Sequence, residues 1–450
     1  MAVTVTSTAP GIGLELARWL LLAYVALIPI GWSPLPLHMQ WGDLVFAALL
    51  AWMCVARIGT GLRVRQLDRL VLLYLAASAV SVACSQDLAR SAAELAKEGS
   101  LALVYLVVAV VARDASMRRA LLGWFAASAA AVGAVSLAAW VVHLLAGWSP
   151  FLIGGPCPFL ERTVVPGLGH VVRVQGPFVA SGLFASYMTC ALPVLVALAV
   201  GREPTRTRRW ARVGAGLAGL ATLLTLTYSV VGCALATLLT AWRRLGETGW
   251  GRRLRAGLAG LTLLAFLALN LVLIVTIRGV GGEASSRPLN QPAPHHYAFE
   301  ARGNTARILG VELWYQPMSY GLLKAVAWDA FRRAPLAGVG LGTFHTETEG
   351  AADEGRLEGT YWRSDPHSEW FGRLAETGLV GVVTLALLWS ALLRSGWALI
   401  QRGGEDGWVA GRVVAGCVGL LVNSVNVDIM HFRFLWVGFG LLRTVMEDAA

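Results

Sequence analysis

Apolar residues run along this chain in uninterrupted blocks. Stretches such as 101–112 and 261–277 show no alternation of apolar and polar positions. Barrel strands would alternate, so the pattern predicts helices, the other structure whose backbone satisfies its own hydrogen bonds in lipid. Twelve blocks reach or approach the roughly 20 residues that cross a bilayer core. They lie near 13–31, 39–57, 67–85, 98–112, 119–147, 179–201, 211–228, 230–243, 255–278, 374–393, 408–426 and 431–446. Only Thr227-Tyr228-Ser229 separates the seventh from the eighth. The first block lacks a small-residue cleavage site and is followed by further blocks, so it reads as a retained helix. The pattern thus predicts an all-α integral membrane protein with about twelve transmembrane helices.

Composition agrees with this reading. Of 450 residues, 56% are hydrophobic and 14% charged, where a soluble domain carries about 25% charged residues. Mean hydropathy is +0.62. The net charge of +10 would raise nucleic acid as a partner in a soluble protein, but no basic face interleaved with aromatic residues is present. The basic residues instead mark alternate links. One set holds Arg57, Arg63, Arg65 and Arg69, then Arg113, Arg118 and Arg119, then Arg202 to Arg212, then Arg243 to Arg255, then Arg394, Arg402 and Arg412. By the positive-inside rule these links face the cytoplasm, and an even number of spans then puts both termini there. Link 32–38 has no Arg or Lys, and in 86–97 Arg90 and Lys97 are balanced by Asp87 and Glu94.

Three segments follow: helices one to nine over 1–278 with an outer link at 148–178, a large outer loop at 279–373, and helices ten to twelve over 374–450. A loop this long is functional or disordered. Its aromatic residues and the helical periodicity over 318–333 favour function, and an acidic stretch follows over 347–358. Of six cysteines none forms a CxxC pair, which leaves no zinc or thioredoxin-type motif. Cys84 and Cys157 are both placed near the outer face, where they could meet.

The candidate chemistry lies on the outer side. In Asp365-Pro366-His367-Ser368-Glu369-Trp370 the proline favours an extended turn followed by a helix start. His367 then sits at the head of the tenth helix, where a neutral imidazole can take a proton from a sugar hydroxyl and the positive helix end keeps it neutral. The bland alternative is a capping histidine. Arg173 in Arg173-Val174-Gln175-Gly176-Pro177-Phe178 can clamp a phosphate with its two-pronged head, or simply snorkel at a helix end. Arg287, Arg302 and Arg307 are further cations of the large loop, and Asn423, Asn426, Asp428, His431 and Arg433 form a polar outer turn in which Asp428 and Arg433 can pair. The glycine-rich run 338–342 lacks the lysine of a phosphate loop and reads as a tight turn that lets backbone approach a ligand. No HExxH or GxSxG motif occurs, so no metal, cofactor or serine nucleophile is indicated.

At these residues the chain resembles the O-antigen ligase and O-antigen polymerase superfamily, over roughly 170–445. The motifs that carry the resemblance are the His367 segment with Leu374-Ala375-Glu376-Thr377-Gly378-Leu379-Val380-Gly381, the run Pro335-Leu336-Ala337-Gly338-Val339-Gly340-Leu341-Gly342-Thr343-Phe344, and the segment 173–178. The resemblance implies a GT-C-like glycosyltransferase architecture. It implies transfer of O-antigen polysaccharide from undecaprenyl diphosphate to lipid A-core oligosaccharide at the periplasmic face of the bacterial inner membrane. The reaction it implies is inverting and metal-independent, with His367 as base and with Arg173, Arg302 and Arg307 on the donor diphosphate. Gln175, Glu369 and Arg433 are further candidate contacts. Where the family often carries an SRG-type turn, this chain has Tyr228-Ser229-Val230-Val231-Gly232 without arginine. Alternatives are a polymerase or protein O-oligosaccharyltransferase using the same donor, and, from another class, a transporter, though no related halves are visible.

Overall fold

In the computed structural model the residues described are 12–31, 40–59, 63–147, 159–165, 169–201, 203–245, 249–270, 273–278, 304–308, 311–317, 319–353 and 365–448. The first helices are α1 (Ile12–Leu27), α2 (Trp41–Val55), α3 (Gln66–Ala83), α4 (Leu88–Val111) and α5 (Ala115–Ala146). A hairpin of β1 (Leu160–Val165) and β2 (Gly169–Val174) leads into α6 (Ser181–Val200), α7 (Thr205–Leu223), α8 (Ser229–Leu245) and α9 (Gly249–Asn270). The large loop holds β3 (Leu273–Arg278), β4 (Asn304–Ile308), β5 (Val311–Pro317), α10 (Ser319–Arg333) and α11 (Phe344–Asp353). The chain ends in α12 (Glu369–Arg402), α13 (Gly404–Asn423) and α14 (Arg433–Asp448).

A helix falls on each of the twelve apolar blocks, and α3, α5, α6 and α12 are long and apolar enough to cross a membrane. Within that group α6 runs through the middle, with 78% of its apolar window buried, and α5 runs along the outside, with 28%. Small residues let the inner helices close on one another, as expected where side-chain packing drives association. A Cβ on Gly419 of α13 would lie 2.5 Å from the carbonyl oxygen of Gly232 in α8.

Contacts between the links gather at two ends of the helices. At one end Arg18 pairs with Asp114, Arg118 with Asp406 at 3.0 Å, and Arg119 with Glu405. Arg443 near the end of α14 reaches Asp68 at 3.0 Å. At the other end the Gly31 N–H donates to Pro177 at 2.7 Å, and Arg433 meets Asp43 at 2.7 Å.

Three departures from the sequence pattern have physical causes. The fourth helix begins at Leu88 rather than at 98, about 15 Å more helix. Its added turns are too polar to read as a span, and Asp87 caps them by accepting the Arg90 N–H at 3.0 Å. The ninth block does not stay helical to 278: residues 273–278 are a strand, paired with β5 in the order β3-β5-β4. Ile274, Val275, Thr276 and Ile277 are β-branched and suit a pleated surface. The outer segments therefore carry two small antiparallel sheets beside the helices. Cys157 lies outside the described residues, and the five described cysteines are free thiols.

Candidate functional site

The two glycine motifs meet. The turn 335–343 locks onto the outer part of α12 through four backbone bonds: Val339 N–H to Ala375, Gly340 N–H to Glu376, Leu379 N–H to Pro335 and Val380 N–H to Leu336, at 2.9–3.2 Å. Gly378 kinks α12 with φ 63°, and a Cβ there would lie 2.4 Å from the Leu336 carbonyl oxygen. The close approach predicted for the glycine-rich turn is therefore to protein backbone, although Gly342 also borders the cavity described next. Leu323, Val326, Ala327 and Ala330 of α10, Phe344 and Ala351 of α11 and Ala375 of α12 form a small core of their own, which seats the outer loop on α12.

Beneath this assembly is a cavity of about 770 Å³. It gathers His367, Glu369, Arg173 and Arg433 with the 226–229 turn, Arg90 and Lys97 of α4, Arg373 and Glu376 of α12, and Asp428 and His431 of the outer turn. His367 directly precedes Ser368, the N-cap of α12, whose Oγ accepts the Phe371 N–H at 3.5 Å. The backbone at His367 is left-handed, with φ 47°, a strained state for a non-glycine residue that persists only where its surroundings hold it. The hold comes from Ser424, which accepts the Glu369 N–H at 3.0 Å on its carbonyl and the Trp370 indole N–H at 2.8 Å on its hydroxyl. Burial lowers the His367 pKa below the ordinary imidazole value; Asp365 opposes this and Lys324 adds to it. Desolvation thus favours the uncharged form of the ring.

Glu369, a candidate contact by sequence, is 3% exposed and already occupied. One carboxylate oxygen accepts Arg373 Nε at 2.8 Å, and the other accepts the N–H groups of Ile429 and Met430 at 2.8 and 3.0 Å. Arg373 pairs onward with Glu98 of α4 at 2.5 Å, which also accepts Tyr74 at 3.0 Å and Ser78 at 2.6 Å. This buried chain ties α3, α4, α12 and the outer turn together behind His367. Asp428, in that turn, has its carboxyl pushed well up by burial and by Glu369, Asp365 and Glu376. Lys324 of α10 donates to Asn426 at 2.8 Å and lies over the Phe371 ring; burial lowers its pKa.

The other predicted residues divide. Arg173 stands on the cavity wall, paired across the hairpin with Glu161 at 2.8 Å. Arg433 is there too, but its partner is Asp43, with Gln40 at 2.8 Å, and not Asp428. Gln175 does not line the cavity: it is 2% exposed, and its side-chain amide donates to the Phe178 carbonyl oxygen. Arg287 and Arg302 lie outside the described residues, and Arg307 sits on β4 in register with Glu312. Sequence reasoning passed over Arg90, Lys97, Glu98, Arg373 and Lys324. The one signal for the first four was charge at helical spacing in 90–98 and 369–376, and Lys324 had none. Among the described residues no three His, Cys, Asp or Glu side chains gather as a metal site would require.

No protein-family model and no curated protein matches this chain.

Proposed function

We propose that this chain is a glycosyltransferase of the bacterial inner membrane, an O-antigen ligase, whose cavity faces the periplasm and whose termini face the cytoplasm. The observation that supports it best is a desolvated His367 with strained backbone on the wall of a cavity of about 770 Å³ that also carries Arg173, Arg373 and Arg433. The two-ended sorting of the links supports the orientation. The lipid-linked donor and the glycolipid acceptor both enter this cavity. His367 takes the proton from an acceptor hydroxyl as that oxygen attacks the anomeric carbon of the donor sugar from the face opposite the diphosphate. The bond from carbon to phosphate oxygen breaks, undecaprenyl diphosphate leaves with the bonding pair, and the configuration inverts. Charge on the leaving diphosphate is met by cations already fixed in place. Cleavage of the donor's diphosphate ester supplies the driving force.

The test is a transfer assay with purified protein, undecaprenyl diphosphate-linked glycan and lipid A-core. Glycan-bearing lipid A-core is the product expected. Lengthened lipid-linked glycan would make the chain a polymerase, and absence of any covalent product would end the reading.

A further inference from the structure

The cavity's cations differ in what already neutralises them. Arg173 faces Glu161, Arg433 faces Asp43, Arg373 faces Glu98 and Glu369, and Lys97 faces Glu94 at 2.5 Å. Among the described residues no carboxylate lies within ion-pair distance of Arg90, and its one side-chain bond there runs from Nε to the carbonyl oxygen of Gly342, at 2.7 Å. A carbonyl fixes the side chain without cancelling its charge. Both terminal nitrogens remain, and these form the fork that takes two oxygens of a phosphate or carboxylate at once.

The surroundings hold that fork in place. Asp87 spends its carboxylate on the backbone N–H of Arg90, at 3.0 Å. Ser91 donates to the carbonyl oxygen of Leu341 at 2.7 Å, so α4 and the glycine-rich turn are joined at Arg90 and at its neighbour Ser91. The side chain is exposed and borders the cavity. Arginine held by its Nε loses less side-chain entropy on binding than a free one would.

We propose that Arg90 is an anion subsite at the rim of the cavity, taking one phosphate group carried by a lipid-linked substrate. This rests on the reading of the cavity as a site for two such substrates. The phosphate belongs to the diphosphate of the donor or to the phosphorylated glycolipid acceptor, and the two are separated by binding.

Binding is measured on the full chain in detergent by tryptophan fluorescence. The probes are undecaprenyl diphosphate, lipid A carrying its phosphates, and dephosphorylated lipid A. Arg90→Gln weakens one phosphate-bearing probe about tenfold, the loss of a charge-assisted bidentate contact. Arg90→Lys keeps charge without the fork and recovers only part. Arg119→Gln, away from the cavity and paired with Glu405, stays within about twofold of wild type. Loss confined to undecaprenyl diphosphate assigns the donor, and loss confined to lipid A assigns the acceptor; either supports the subsite. Unchanged binding of both probes by Arg90→Gln overturns it. So does an equal loss in Arg119→Gln, or an equal loss for dephosphorylated lipid A. Because no turnover is involved, a wild type that binds these probes but transfers nothing would sink the ligase and leave Arg90 standing.

Discussion

Arg373 is the residue whose loss should be felt most in the folded protein. It is 4% exposed and matches two carboxylates, Glu98 and Glu369, which are 2% and 3% exposed. Arg373→Met keeps the length of the side chain but leaves both carboxylates without their cation. Removing one partner of a buried pair costs about 3–5 kcal/mol. Glu98→Gln is milder: Arg373 keeps Glu369 at 2.8 Å, and the amide still bonds to Tyr74 and Ser78, so about 1 kcal/mol is expected. Arg373→Met with Glu98→Gln leaves only Glu369, whose second oxygen keeps the N–H groups of Ile429 and Met430. The double variant is therefore more stable than Arg373→Met alone, a coupling of about 2 kcal/mol. Thermal unfolding in detergent, followed by tryptophan fluorescence, reads the order of apparent melting temperatures, which is the proper quantity where unfolding is irreversible. The expected order is wild type, Glu98→Gln, double variant, Arg373→Met. If Arg373→Met melts with wild type, or the double variant melts below it, the network does not carry the charge balance described.

The other predictions concern the site. Lys324→Met removes a cation that disfavours the imidazolium of His367; the His367 pKa rises, and the acid limb of the kcat/KM–pH profile moves to higher pH. Asp365→Asn removes the opposing carboxylate and moves that limb to lower pH, so the two variants bracket wild type. Gly378→Ala places a methyl 2.4 Å from the Leu336 carbonyl at φ 63° and is expected to cost more than about 1 kcal/mol, read as a lower melting temperature. Transfer proceeds in EDTA at the untreated rate, and a loss restored by added divalent cation would refute the metal-independent mechanism.

The helices were legible because lipid leaves the backbone few choices, and long apolar blocks declare themselves. The polar start of α4 was not, because Arg90, Glu94 and Lys97 look like a balanced link until Asp87 and Ser91 are seen to fix them as helix. Residues 273–278 misled because a continuous apolar run fits helix and buried strand alike. The site was half legible. His367 and Arg173 announced themselves through proline, glycine and charge at the mouths of helices. Arg373 and Glu98 did not, because a charge at the edge of an apolar block gives no hint of its partner across 275 positions of sequence, nor does Arg433 of Asp43 across 390. Gln175 shared a motif with Arg173, yet the strand turns it inward to a backbone carbonyl.

The first measurement to make is transfer of glycan from undecaprenyl diphosphate to lipid A-core by the purified protein in EDTA, with His367→Ala beside wild type. The arrangement of the cavity predicts glycan-bearing lipid A-core from wild type and a loss of at least about a hundredfold in kcat in His367→Ala, with the fold retained by thermal melting. A His367→Ala variant that transfers glycan at the wild-type rate would contradict it.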